Sequence, residues 1–170
     1  MMNNSKQERV EHSLLAKLLH WGFVAIFGYG VFKQIETKDQ LNETALLKSE
    51  ILFAIFFLAF ILFRFIYMKR SYKTALPSEA PNWHRLTAKF IHSSMYVTLS
   101  GIAISGLGIG YLFWLGYEDS SLIEFAIWIH ELFFSIIVWL ISVHVFAAIY
   151  QRIRHDSVWS SMVPLLREKR

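Results

Sequence analysis

The sequence LIEFAIWIHELFFSIIVWLISVHVFAAIY, residues 122–150, contains no lysine or arginine. A helix needs about 20 apolar residues to cross a hydrocarbon layer about 30 Å thick, so this stretch predicts a membrane-spanning helix. Its two histidines, His130 and His144, are fourteen positions apart. Fourteen helical steps end within roughly 40° of a whole number of turns and rise about 21 Å. One face of a single membrane helix therefore carries histidines at two depths.

The composition of the whole chain agrees with a membrane setting. Its 170 residues are 55% hydrophobic and 16% aromatic, and the mean hydropathy is +0.39. These values are high for a soluble domain and indicate a single membrane domain that covers residues 1–170. The absence of cysteine excludes disulfides, thiolate-bound iron–sulfur clusters and covalent c-type haem attachment. The first apolar run lacks a small-residue cleavage pattern, so we expect no removable signal peptide.

Four apolar stretches predict the fold, an all-α integral membrane four-helix bundle. Their approximate bounds are 14–32, 46–68, 89–115 and 122–150, and a cytoplasmic tail follows at 151–170. The last helix opens with a capping-box pattern at Ser121 and Glu124. The third is rich in glycine and serine, which allow a neighbouring helix or a flat ligand to approach closely.

The distribution of lysine and arginine predicts the orientation. The segment between the second and third helices and the C-terminal tail are basic, whereas the other two loops are acidic or mixed, so both termini face the cytoplasm. We expect a multi-pass membrane protein. Attraction to anionic lipid accounts for the net charge of +4, and no nucleic-acid partner is expected. The basic residues are Lys69, Arg70, Lys73, Arg85, Arg152, Arg154, Arg167, Lys169 and Arg170.

Two histidines on different helices match in depth. His20 in the first helix and His144 in the fourth both lie roughly 9 Å inside the cytoplasmic ends of their helices. Imidazole is costly in hydrocarbon without a partner, so such histidines are functional candidates. Haem iron accepts two axial imidazoles, and we expect this pair to hold one haem b. The alternative is that each histidine only hydrogen-bonds a neighbouring helix.

The remaining intramembrane histidine of the fourth helix, His130, has no evident partner. The second helix contains no histidine, and His92 on the third helix is expected near the wrong end. Three alternatives follow for His130. It holds a second haem as the only protein ligand, it shares one with Lys48 or Glu50, or it holds none.

Several short segments resemble the bacterial cytochrome b561 family, and the resemblance spans about residues 11–164. Related proteins are the cytochrome b subunits of nickel–iron hydrogenases and the γ subunits of formate dehydrogenases. The segments are LHW at 19–21, WHRLTAKFIH at 83–92, SGIAISG at 100–106, IHE at 129–131 and VHV at 143–145.

The resemblance implies which residues hold iron. One b haem is implied between His20 and His144, and another between His130 and a histidine that opens the second helix. In this chain Leu47 or Glu50 takes the place of that histidine, and neither is a usual ligand. We expect one haem b, with a second at His130 as the alternative.

The resemblance also implies a location in the bacterial inner membrane and a function in respiratory electron transport. The implied protein passes single electrons to or from quinone at the cytoplasmic side, and ubiquinone is the candidate. Alternatives are an anchor subunit with a redox partner, a quinone-linked enzyme similar to superoxide oxidases, and a haem-free structural or proton-handling subunit.

Two further residues are candidates for the same site. Arg64, near the cytoplasmic end of the second helix, either pairs with a haem propionate or extends to the membrane surface. His84 beside Trp83 is a candidate edge of a quinone pocket at that surface.

The orientation can be tested with reporter fusions. Fusions at Arg170 and at Asp119 should report opposite sides of the membrane, because the tail is basic and the loop between the third and fourth helices is acidic. Activity of both fusions on one side would refute the four-helix topology.

Overall fold

The computed structural model describes residues 12–33, 44–70, 81–154 and 158–163. These residues form five helices, and the described part of the chain contains no strand, which confirms the all-α prediction. Four of the helices are long and apolar enough to cross a membrane. The helices are α1 Leu14–Lys33, α2 Thr44–Arg70, α3 Asn82–Trp114, α4 Ser121–Ile153 and α5 Val158–Met162.

The structure differs most from the predicted helices at the start of α3 and in the tail, and the other boundaries lie within three residues of the predicted ones. α3 begins directly after Pro81, seven residues before the predicted start at 89, and the Pro81 carbonyl accepts a hydrogen bond from the His84 amide at 3.0 Å. The prediction followed apolar residues, whereas this polar segment continues the helix beyond the apolar run. The short α5 lies in the tail, where no helix was predicted. Four of the basic residues used to predict the orientation lie outside the described residues: Lys73, Arg167, Lys169 and Arg170.

The turn between α3 and α4 uses local chain chemistry. Gly116 adopts a φ of 83°, a left-handed conformation that favours glycine. Ser120 then caps α4, since its side chain accepts a hydrogen bond from the Ile123 amide at 3.4 Å. The capping-box prediction therefore placed the cap one residue too late, at Ser121.

The central contacts divide the bundle into two halves. Phe23, Phe57, Leu99 and Ile137 lie near the middle of α1, α2, α3 and α4 and form a buried core with Ile61. α3 packs against α2 and α4, while α1 packs against α2. We call the half where α1 and α3 begin, and where α2 and α4 end, the basic half. The other is called the opposite half.

The basic half is closed at its end by α5. The Trp21 indole on α1 donates a hydrogen bond to the Met162 carbonyl at 3.2 Å. The Arg152 guanidinium at the end of α4 lies over the Trp159 ring, 4.8 Å from its centroid. α5 therefore links α1 to α4, two helices that otherwise pack mainly against other neighbours.

The outer surface of the four long helices is apolar. Trp139 and Phe146 are 74% and 71% exposed, and large exposed apolar side chains occur on every long helix. A face of this kind is suited to contact lipid, because all backbone polar groups of a helix are satisfied internally.

Truncation of Ile137 tests the core. Ile137 is fully buried, whereas its neighbour Ile136 is 39% exposed. Ile137→Ala should lower the free energy of unfolding in detergent by about 2 kcal/mol, near the lower end for buried isoleucine, because lipid gives no large transfer term. Ile136→Ala is the matched control and should cost much less. Equal losses would contradict the core assignment.

Candidate functional site

Three histidines meet in the basic half. The ring of His144 on α4 lies 6.4 Å from the ring of His20 on α1 and 5.2 Å from the ring of His92 on α3, measured between centroids. The structure therefore brings together the pair that was matched by depth. It also adds His92, which was expected at this end of the third helix and was rejected only as a partner for His130.

The two ring distances have different consequences for a shared metal. An imidazole binds metal at about 2.0 Å, and its ring centre lies about 1.1 Å behind the bound nitrogen, so two imidazoles on opposite sides of one iron have centroids about 6.2 Å apart. The 6.4 Å separation of His20 and His144 meets this requirement. The 5.2 Å separation of His92 and His144 is too short for it and corresponds to an edge-to-face ring contact.

Arg64 on α2 faces the interior of the basic half. Its Nη2 lies 2.9 Å from His20 Nδ1, and its guanidinium lies over the rings of Phe23 and Tyr96 at 5.3 and 5.5 Å. Arg64 therefore does not extend to the membrane surface, which was one of its two predicted alternatives. Pairing with a haem propionate stays a prediction. The Arg64 Nε atom is buried and has no hydrogen-bond partner among the described residues. An unsatisfied buried cation of this kind is suited to receive a carboxylate.

The hydrogen bond from Arg64 fixes the proton on His20. A guanidinium can only donate, so Nδ1 of His20 accepts and carries no proton. A neutral His20 then has its proton on Nε2. Arg64 must leave Nδ1 before Nε2 of His20 is free to bind a metal.

His130 lies apart from these residues, in the opposite half. Its Nδ1 is 3.0 Å from Ser105 Oγ on α3, and Ser105 Oγ also donates to the Gly101 carbonyl at 2.7 Å. The hydroxyl proton is thus used within α3, and the oxygen accepts the Nδ1 proton of His130. The described contacts of Lys48 and Glu50 on α2 do not include His130.

A comparison with known families agrees with this arrangement. A model described as prokaryotic cytochrome b561 matches residues 11–165. The chain belongs to the prokaryotic cytochrome b561 family. It is therefore an electron-transfer cytochrome of a bacterial membrane, of the kind that carries haem b. No curated protein and no solved structure matches the chain.

His92 lies at the end of α3 where it was predicted, but its match in depth with His144 was missed because α3 was predicted to begin too late. With the helix beginning at Asn82, His92 lies ten residues inside α3, and His144 lies nine residues before the end of α4 at Ile153. Since α3 and α4 run in opposite directions, the two residues are at the same depth. Recognising the helix start after Pro81 would have found this pair.

The flanking histidines of the cytochrome have separate surroundings. His84 contacts Trp83 edge-to-face with centroids 3.8 Å apart, as expected for adjacent residues at a surface. His12, just before α1, interacts electrostatically with His20 and His92. His155 lies outside the described residues.

Proposed function

We propose that the chain is a respiratory electron carrier that holds haem b between His20 and His144. The observation that carries this proposal is the 6.4 Å separation of the two rings, which suits a shared iron. The two ligands come from different helices, α1 and α4, and lie at the same depth. Bound haem b supplies a one-electron couple between ferric and ferrous iron.

The surrounding side chains prepare the site for this ligation. His92 contacts the edge of the His144 ring and limits its rotation. Aromatic rings below, including Phe23 and Phe57 with centroids 5.3 Å apart, exclude water from the centre of the bundle. α5 joins the ends of α1 and α4, the two helices that carry the proposed ligands.

Arg64 is proposed to bind a haem propionate. Its guanidinium has an unsatisfied Nε, and its hydrogen-bond partners, the His20 imidazole and the Tyr96 hydroxyl, are both neutral, so a carboxylate is a stronger partner. Movement of Arg64 to a carboxylate would also release Nδ1 of His20. Binding of the acidic edge of the cofactor and release of the ligand are thereby coupled through one side chain.

Lysine and arginine assign the basic half to the cytoplasmic side in this proposal. Lys69, Arg70, Arg85, Arg152 and Arg154 all lie at that end of the described helices. Electrons would exchange with quinone or a redox partner subunit at this surface, where the exposed Trp83 contacts the half-buried His84. The haem-free alternative is favoured by the protein partners that His20 and His144 already have, and it predicts a colourless protein.

Histidine variants test the ligand assignment. His20→Ala and His144→Ala should each lose most of the haem, because one axial ligand remains, whereas His92→Ala should retain it. The haem-to-chain ratio is measured by the pyridine haemochrome assay, with His84→Ala as the matched control. Haem that survives both ligand replacements at full stoichiometry would refute the assignment.

Arg64 variants test the propionate partner. Arg64→Gln should weaken haem retention and lower the midpoint potential by on the order of tens of millivolts, because a positive charge near the site favours the ferrous form. Arg64→Lys should preserve most of the potential. Arg70→Gln, an exposed basic residue of the same helix, is the control. An unchanged potential in Arg64→Gln would contradict the proposed role.

A further inference from the structure

The opposite half of the bundle is closed by side chains that pack on glycines. A methyl group added at Gly110 of α3 would lie 3.0 Å from Ile51 Cγ1 and 3.7 Å from Leu47 Cδ1, both on α2. A methyl group at Gly30 of α1 would lie 2.8 Å from the Phe53 ring. The Phe53 and Ile51 contacts leave no room for a methyl group, so α2 is packed directly on α1 and α3 at these glycines.

The same close packing joins α3 to α4. A methyl group at Gly101 would lie 2.7 Å from the Phe133 ring, and one at Gly106 would lie 3.3 Å from His130 Cε1. His130 is thus packed against the backbone of α3 at Gly106. Its Nδ1 bonds to Ser105 on the same helix. Small residues with a polar contact beside them are a recurrent way to join membrane helices.

The described side chains of the opposite half do not fit a second haem. Leu47, one of the two residues that replace the histidine of the second helix, packs beside Gly110 of α3. The proton of His130 does not prevent iron binding. It lies on Nδ1, which bonds to Ser105, so Nε2 carries no proton and could bind a metal. The obstacle is space, since a porphyrin is a wide planar group and α2 and α4 are each packed on α3 there.

We propose that this chain binds a single haem and that His130 is a helix-linking residue. The count of one rests on the proposed function, whereas the closure of the opposite half does not. Electrons then enter and leave at the basic half, because no second centre continues the path to the other surface. Donor and acceptor must both be reached from the same side of the membrane.

The helix-linking role is tested without reference to haem. Ser105→Ala and His130→Ala should each lower the folding equilibrium constant in detergent about threefold, the size typical of an interhelical hydrogen bond. The double variant should lose little more than either single one. Ser135→Ala is the control, because that hydroxyl bonds only to Glu131 of its own helix. Additive losses would refute the proposed bond.

The haem count is tested with an isosteric variant. His130→Asn keeps an amide donor for Ser105 but is a poor iron ligand, so it should fold as the wild type does and retain one haem per chain. Leu47→His should also retain one haem, since packing closes the site. Two haems in the wild type, with one lost in His130→Asn, would overturn this inference and leave the site at His20 and His144 intact.

The remaining outcomes separate the two proposals. A single haem that is retained in His130→Asn and lost in His144→Ala supports both. A single haem that is lost in His130→Asn and retained in His144→Ala overturns both. A gain of a second haem in Leu47→His shows that only a ligand was missing, and it overturns the closure of the opposite half alone.

Discussion

The bundle depends on one constraint, that a polar side chain inside hydrocarbon needs a partner within the protein. Two intramembrane histidines meet this constraint by a hydrogen bond to another helix, His20 to Arg64 and His130 to Ser105, while His144 and His92 lie edge-to-face. These contacts join α1 to α2 and α3 to α4. The polar residues therefore fix which helices face each other, and the apolar core fills the space between them.

The two halves use the same residue type for different purposes because their neighbours differ. At His20 and His144 the helices that carry the rings are joined mainly through α5, and the rings are separated by the width that an iron needs. At His130 the glycines of α3 bring the helices into contact, so the ring is packed against a backbone. Whether an imidazole can share a metal or only links two helices thus depends on whether small residues let the adjacent helix approach its ring.

Much of the fold and part of the site could be predicted from the sequence. Apolar length predicted the four helices, and equal depth predicted the pair His20 and His144, because both depend on the rise of one helix. The start of α3 could not be predicted from apolar residues, and this error hid the match in depth between His92 and His144. The bond between His130 and Ser105 depends on how α3 is rotated against α4, which one helix does not determine. The inward direction of Arg64 likewise depends on the rings of Phe23 and Tyr96 beneath it.

Low-temperature electron paramagnetic resonance of the oxidised protein is the most direct test of a single bis-histidine centre. The spin concentration is compared with the chain concentration from amino-acid analysis. We predict one low-spin ferric signal that accounts for one spin per chain, because two imidazoles give iron a strong axial field. A high-spin ferric signal of comparable intensity would contradict ligation by His20 and His144 together.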